Sequence, residues 1–328
     1  MILIDATYIN VGGGKVLLDL LIQEIIKKNI KAFFLLDSRI SKNYPFIDDL
    51  NKTSIKPSIT ERHLFYLNNK DRFNTVLCFA NVPPTLNLNS KVYTFFQNVD
   101  LLKNISFKSI LKMYFIKLFI NNSDGWIVQT ETVSKLIQKI GVKKNRIYIY
   151  PFFREFSLPK LNRSEDILKY IYVSSGERHK NHKRLLTAFE KYHSINNNVE
   201  LILTIEKKYD WLCKKINSLN KEGIPVKNIG IVSKEQLHKE YMNANFAIYP
   251  SVYESFGLGL VEACQYNLPI IASNKEYVKE ITEPSLFFNP VSEKSILKAL
   301  IKSEKSLGCN SNLKVDNSIN KIIKLLSL

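Results

Sequence analysis

The segment Tyr249-Pro250-Ser251-Val252-Tyr253-Glu254-Ser255-Phe256-Gly257-Leu258-Gly259-Leu260-Val261-Glu262-Ala263 decides how this chain is organised. A short apolar run of strand type ends at 249, and from 258 to 266 apolar residues return at helical spacing. A strand that passes through a glycine-containing turn straight into a helix is a building unit of open parallel α/β sheets, whose ligands bind at the carboxyl ends of the strands. Gly257 and Gly259 let the backbone approach a phosphate closely, and the amides of a first helical turn have no partner inside the helix. Glu254 precedes the turn and Glu262 follows within the helix, about two turns later. A carboxylate at Glu262 can accept both hydroxyls of a ribose, and one at Glu254 can hold a sugar hydroxyl. The same glutamates also fit an ordinary helix start, where acidic side chains are favourable in themselves.

Outward from this segment, the pattern repeats in both directions. Towards the N-terminus the second half reads as strand 170–173, helix 181–193, strand 199–205, helix 209–220, strand 226–229, helix 234–243 and strand 246–249. Beyond the segment come strand 269–272, a short helix near 275–281, strand 286–288 and helix 292–303. The first half opens with strand 2–4, helix 16–26 and strand 32–36, then strands 75–79 and 92–96, a helical segment over 101–120, strand 125–128, helix 132–140 and strand 146–149. Alternating strands and helices supply the crossovers that parallel strands need, so the expected class is α/β with two Rossmann-like parallel sheets. The periodicity lapses around 151–163, which places the domain boundary there: residues 1–160 form a first domain, 161–310 a second, and 311–328 a terminal segment whose helix, 319–326, can pack back on the first. No repeat of 20–50 residues occurs.

Two further loops concentrate polar groups at strand ends. Ser174-Ser175-Gly176-Glu177-Arg178-His179-Lys180-Asn181-His182-Lys183 joins a strand to a helix and brings Arg178, Lys180 and Lys183 to a helix start, where a cation can neutralise a diphosphate leaving group. A solvated lysine-rich face explains the same residues, and the two histidines carry no catalytic assignment. Gly12-Gly13-Gly14-Lys15 opens the first helix; it completes neither G-x-x-x-x-G-K-[ST] nor G-x-G-x-x-G, yet Gly13 and Gly14 leave room for a ligand at that turn. Gln97-Asn98 is a polar pair at another strand end, aimed at a ligand or else serving as a helix cap.

Composition bounds the rest. The 328 residues are 45% hydrophobic, enough for two cores, and carry a net charge of +17, of which residues 1–150 hold +10. Such a field favours an anionic partner: a phosphate-bearing substrate, an anionic membrane or nucleic acid. Neither an RNP-type nor a helix-turn-helix signature occurs, so nucleic acid is not expected. Cys78, Cys213, Cys264 and Cys309 form no CxxC pair, and no histidine cluster completes a zinc site. No D-x-D triplet is present to clamp a divalent metal on a diphosphate, so the expectation is a metal-independent reaction without a cofactor. No run of 18 apolar residues and no signal-type start appear, and the expected location is the cytoplasm.

Together these segments resemble the retaining glycosyltransferases of family 4, of GT-B fold. The resemblance rests on Glu254 through Glu262, matching an E-x7-E signature, and on Lys180-Asn181-His182, matching K-[NG]-H; it covers about residues 170–290. It implies two domains facing a cleft, with Glu262 on the ribose of a nucleotide-sugar donor and Glu254 on the transferred sugar. The backbone of Ser255, Phe256, Gly257 and Leu258, together with Lys180, would take the diphosphate, and the leaving diphosphate would help deprotonate the acceptor. Catalytic roles fall by this resemblance on Glu254, Lys180 and Arg178. The chain departs from the family in two places: Arg178 is shifted by one residue from the usual G-R pair, and Gln97-Asn98 stands where many members carry a histidine.

The resemblance further implies a glycan or lipid-linked glycan acceptor, as in bacterial O-antigen or capsule assembly. In 105–120, Phe107, Ile110, Leu111, Tyr114 and Leu118 share one helical face, with Lys108, Lys112 and Lys117 elsewhere. That pattern suits either a helix packed in the first core or one resting at an anionic membrane surface. Two other functions share the fold: a nucleotide-sugar epimerase, which converts donor without acceptor, and a non-catalytic nucleotide-sugar-binding protein.

Overall fold

The computed structural model describes residues 1–103, 107–156, 158, 163–164, 166–309 and 311–327. The chain forms two compact units, Met1–Arg154 with Asp316–Leu328, and Glu155–Val315. The boundary expected between 160 and 161 lies outside the described residues.

The first unit runs β1 (Ile2–Ala6), α1 (Gly12–Lys27), β2 (Ala32–Asp37), β3 (Lys52–Ile55), α2 (Ile59–Asn68), β4 (Thr75–Cys78), β5 (Lys91–Phe95), α3 (Asp100–Lys103), α4 (Phe107–Leu118), β6 (Gly125–Val128), α5 (Glu131–Gln138) and β7 (Ile147–Ile149). Its seven strands are parallel in the order β3-β2-β1-β4-β5-β6-β7. Helices cover both faces of such a sheet, so β1, β2, β4 and β6 are buried along their whole length and read as continuous apolar runs.

The sequence gives no warning of β3 or α2. β3 is a four-residue edge strand, Lys-Thr-Ser-Ile, without an apolar run. α2 buries Arg62 and Tyr66, so its inward face is partly ionic and hydrophobic periodicity passes over it. Arg62 lies beneath the sheet with a purpose: its Nε donates to Asp5 Oδ2 at 2.6 Å, and its two terminal nitrogens donate to the carbonyls of Pro83 and Val82 at 2.9 Å each. Tyr66 and Thr7 hydroxyls also donate to Asp5. One buried ion pair thus ties the end of β1 to α2 and to the loop leaving β4.

The helical segment expected over 101–120 is two helices, α3 and α4, with 104–106 outside the described residues. Packing in the first core, one of the two readings of α4, does not hold for Phe107, Leu111, Tyr114 and Leu118. Ile116 is buried, but Phe107, Leu111, Tyr114 and Leu118 are 76, 54, 68 and 74% exposed. Lys112 and Lys117 are exposed beside them; Ile105, Ser106 and the Lys108 side chain lie outside the described residues.

The second unit runs β8 (Leu168–Tyr172), α6 (His182–His193), β9 (Val199–Leu203), α7 (Asp210–Lys221), β10 (Val226–Asn228), α8 (Lys234–Asn243), β11 (Phe246–Tyr249), α9 (Leu258–Gln265), β12 (Ile270–Ser273), α10 (Glu276–Ile281), β13 (Thr282–Glu283), β14 (Leu286–Phe288), α11 (Glu293–Ser303) and β15 (Asn312–Leu313). Six strands are parallel in the order β10-β9-β8-β11-β12-β14, while β13 and β15 pair antiparallel. Then α12 (Ile319–Leu326) completes the first unit, burying Ile319, Ile322, Ile323 and Leu326 at i, i+3, i+4 and i+7. Ser318 N–H donates to Pro151 O at 2.7 Å and Asn317 Nδ2 to Phe153 O at 2.8 Å, which anchors the helix entry.

Arg62→Met strands a buried Asp5 carboxylate, so we expect it to destabilise the protein by about 3–5 kcal/mol. Urea unfolding of the variant against the parent measures this, and a loss below 1 kcal/mol would show that the pair behaves like a surface one.

Candidate functional site

In the second unit the winding reverses between neighbouring strands. From β8 the chain moves through α6 to β9 on one side, and from β11 through α9 to β12 on the other. The two connections part at the carboxyl ends of β8 and β11, which is where open α/β sheets leave a crevice for ligand. Both loops singled out in the sequence stand there. Lys180, after β8, and Glu254, after β11, meet: Nζ lies 2.7 and 2.8 Å from the two carboxylate oxygens, with the side chains only 16 and 10% exposed.

The loops are stitched beneath this pair. Val252 N–H donates to His179 O at 2.8 Å, and the His179 ring stacks on Tyr253 at 4.7 Å. The Tyr172 hydroxyl donates to Lys180 O at 3.1 Å and lies 2.7 Å from Ser251 Oγ. Ser251 O in turn accepts from Ser273 Oγ and Tyr277 hydroxyl at 2.7 and 2.9 Å. Asn181 sits in the left-handed region at φ 64°, which asparagine tolerates, and its buried amide donates to Pro250 O and Pro290 O at 3.1 and 2.7 Å. It therefore clasps the loops after β8, β11 and β14 together.

His182 supports the same loop as a neutral ring. Its Nε2 is 2.9 Å from Ser175 O and 3.0 Å from Ser174 Oγ; a carbonyl can only accept, so the proton is on Nε2. Nδ1 is buried with no hydrogen-bond partner among the described residues. Burial pushes the pKa of this histidine down to about 4, with Lys180 and His179 adding to the effect against the Ser175 bond.

Gly257 enters α9 at φ 90°, a conformation that strains any residue with a Cβ. Just inside it, the amides of Leu258 and Gly259 fall in the turn that has no helical acceptor. Ser255 is half-buried and the Phe256 side chain is buried. On α9, Glu262 Oε2 accepts from the Tyr241 hydroxyl at 2.9 Å, and Oε1 has no bond among the described residues. Tyr241 is held by stacking on Tyr266, with ring centroids 4.5 Å apart. Burial pushes the Glu262 carboxyl up to about 7, against the lowering effect of the Tyr241 bond. The Arg178 side chain is exposed and makes no hydrogen bond or ion pair with a described residue, while its carbonyl accepts from the Asn181 N–H at 3.1 Å.

The first unit has its own reversal, between β1 and β4. Gly14, in the first turn of α1, packs against Gln97: a Cβ there would lie 3.1 Å from Nε2. Gln97 is fixed by its N–H to Asn81 Oδ1 at 2.6 Å and by Nε2 donating to Phe79 O at 3.1 Å. The two candidates from different parts of the sequence are thus neighbours, whereas Gly13 and Asn98 are exposed. Sequence reasoning missed Tyr241, Tyr172, Ser251 and Asn81. Nothing in the local pattern marks them, since each acts on a residue far along the chain.

Glu262 yields a test. A carboxyl with a raised pKa loses stability as pH climbs from its ordinary value of 4.5 through about 7. Glu262→Gln is expected to melt above the parent at pH 8, with the difference shrinking steadily towards pH 5. A difference that does not change with pH would mean the carboxyl titrates normally.

With the geometry described, comparison with known proteins is informative. Residues 153–314 match the model of the glycosyl transferases group 1. The chain is 33% identical over 137 residues to the serotype-specific mannosyltransferase WbdA of Escherichia coli, covering 40% of this chain and 16% of that protein. It is 25% identical over 222 residues to the capsular polysaccharide biosynthesis glycosyltransferase CapH of Staphylococcus aureus, covering 64% of this chain and 59% of CapH. The chain thus spans only a small part of WbdA. Among solved structures, Anabaena HepE in complex with UDP and glucose superposes with a TM-score of 0.71 at 14% identity, over 99% of both chains. The protein has the two-sheet GT-B fold, and the glycosyl transferases group 1 model matches nearly the whole of its second unit.

Proposed function

We propose that this protein is a retaining glycosyltransferase that moves a sugar from a nucleotide-sugar donor to a hydroxyl of a glycan or lipid-linked glycan, in bacterial surface polysaccharide assembly. The observation that carries this reading is the Lys180–Glu254 pair at the β8/β11 reversal, next to the uncommitted amides of α9 and eight residues from Glu262. A cation and helix amides suit a diphosphate, and two carboxylates suit the hydroxyls on either side of it. The names of WbdA and CapH, and the UDP and glucose held by HepE, support the same class.

In this reading Lys180 and the amides of Leu258 and Gly259 hold the diphosphate, while Glu262, braced by Tyr241, accepts from the ribose. Glu254 accepts from the sugar. The bond between the anomeric carbon and the diphosphate breaks as the acceptor oxygen attacks from the same face, and the acceptor proton passes to the departing phosphate oxygen. The charge that develops on the leaving group is met by Lys180 and the helix start, so the reaction is proposed to need no metal. Gly14 and Gln97 would line the acceptor-side unit. Arg178, exposed, is assigned an auxiliary role towards the diphosphate.

The exposed face of α4 supports a peripheral contact with the inner, anionic face of the cell membrane. Phe107, Leu111, Tyr114 and Leu118 form an apolar stripe, and Lys112 and Lys117 lie on its two flanks, as in helices that rest in a lipid interface. Among the described residues no helix is long and apolar enough to cross a membrane.

A nucleotide sugar that is a donor should raise the melting temperature of the parent and not of Glu262→Ala. With donor and acceptor present, Lys180→Gln should lower kcat/KM about 100-fold or more; turnover of donor in the absence of any acceptor would instead favour an epimerase. For the membrane contact, sedimentation with vesicles rich in phosphatidylglycerol should fall several-fold on Leu111→Ser with Tyr114→Ser, and binding that survives both changes would remove α4 from the contact.

A further inference from the structure

Lys180 is engaged by the very carboxylate that the proposed reaction needs elsewhere. Both Glu254 oxygens lie within 2.8 Å of Nζ, in a setting where neither side chain is more than 16% exposed. Backbone motion cannot easily separate them, because Val252 to His179, Tyr172 to Lys180 and Asn181 to Pro250 bind the two loops to one another. Only the side chains are left to rearrange. An incoming diphosphate brings negative charge to Lys180 and therefore against Glu254, and in a partly desolvated site that repulsion is weakly screened.

We infer that the Lys180–Glu254 ion pair is a latch opened by a donor diphosphate and closed again on the product. The diphosphate draws Lys180 away from Glu254, and the hydroxyls of the attached sugar supply the carboxylate with the donors it has lost. Once the sugar has left, the nucleoside diphosphate offers no such hydroxyls. Glu254 then recaptures Lys180 and disfavours the product. The pair so makes a nucleotide sugar bind better than its nucleoside diphosphate and speeds product release. This rests on the diphosphate contact of Lys180 proposed above, and it adds a coupling between the two residues that separate contacts do not have.

The sign of one substitution tests it. Calorimetric titration of the full chain with UDP, GDP, UDP-glucose and GDP-mannose first identifies the nucleotide that the parent binds. Glu254→Gln should then bind that nucleoside diphosphate about fivefold or more tighter, and its nucleotide sugar more weakly. Affinity for the bare nucleoside should not change. In a Lys180→Gln background the added affinity for the diphosphate should disappear, as coupled residues require. Glu254→Ala, with melting curves for each variant, gives the same sign if the amide form folds poorly. Unchanged or weaker diphosphate binding by both Glu254 variants would overturn the latch while leaving the donor reading intact. Failure of the parent to bind any of the four ligands would remove both.

Discussion

The rest of the second unit depends on the constraint that a parallel sheet must reverse its winding somewhere if helices are to cover both of its faces. Here the reversal falls between β8 and β11, and the two strands leave it carrying opposite charges. Lys180 and Glu254 are 74 residues apart in sequence and 2.7 Å apart in space. The buried hydroxyls of Tyr172, Ser251, Ser273 and Tyr277, together with the Asn181 amide, hold the two loops so that the ion pair has a fixed base. Each of those polar groups is satisfied by another, which is what allows so many of them under a site.

The first unit solves an equivalent problem with a different chemistry. Its reversal, between β1 and β4, is backed by a wholly buried ion pair, Asp5 with Arg62, whose remaining donors fix the carbonyls of Val82 and Pro83. A buried pair of this kind contributes little net stability, because desolvation offsets most of the attraction, but it tolerates the loss of neither partner. Its effect is geometric: it sets the path of the loop after β4, and from that loop Asn81 orients Gln97 against Gly14. The Cys78 thiol lies against the same guanidinium, and burial pushes its pKa up to about 12, so it stays a neutral core group.

Much of the fold was legible because buried parallel strands are apolar throughout. β11 and β14 appear in the sequence with the bounds the structure gives them, and so do α8 and α12. The elements that were not legible are those whose burial is not apolar: β3, a polar edge, and α2, whose inward face is an arginine and a tyrosine. For α4 the periodicity was right but ambiguous, since an apolar face looks the same whether it is packed or exposed. Exposure of Phe107, Tyr114 and Leu118 is a fact about neighbours, and neighbours are not local.

The same division runs through the site. Sequence alone determined the α/β class and picked out Lys180, Glu254, Gly257 and Glu262, because strand-to-helix turns with these residue types are local patterns with a local chemical meaning. Tertiary structure decided everything that depends on two distant segments meeting. It joined Lys180 to Glu254, set Gln97 against Gly14, gave Glu262 its Tyr241 partner and its raised pKa, left the Arg178 side chain in solvent, and buried His182 Nδ1 with no partner among the described residues. Spacing fixes where a side chain sits on its own strand or helix. Which charge it then faces, and how much water is left around it, follows only when the sheet brings the strand ends together.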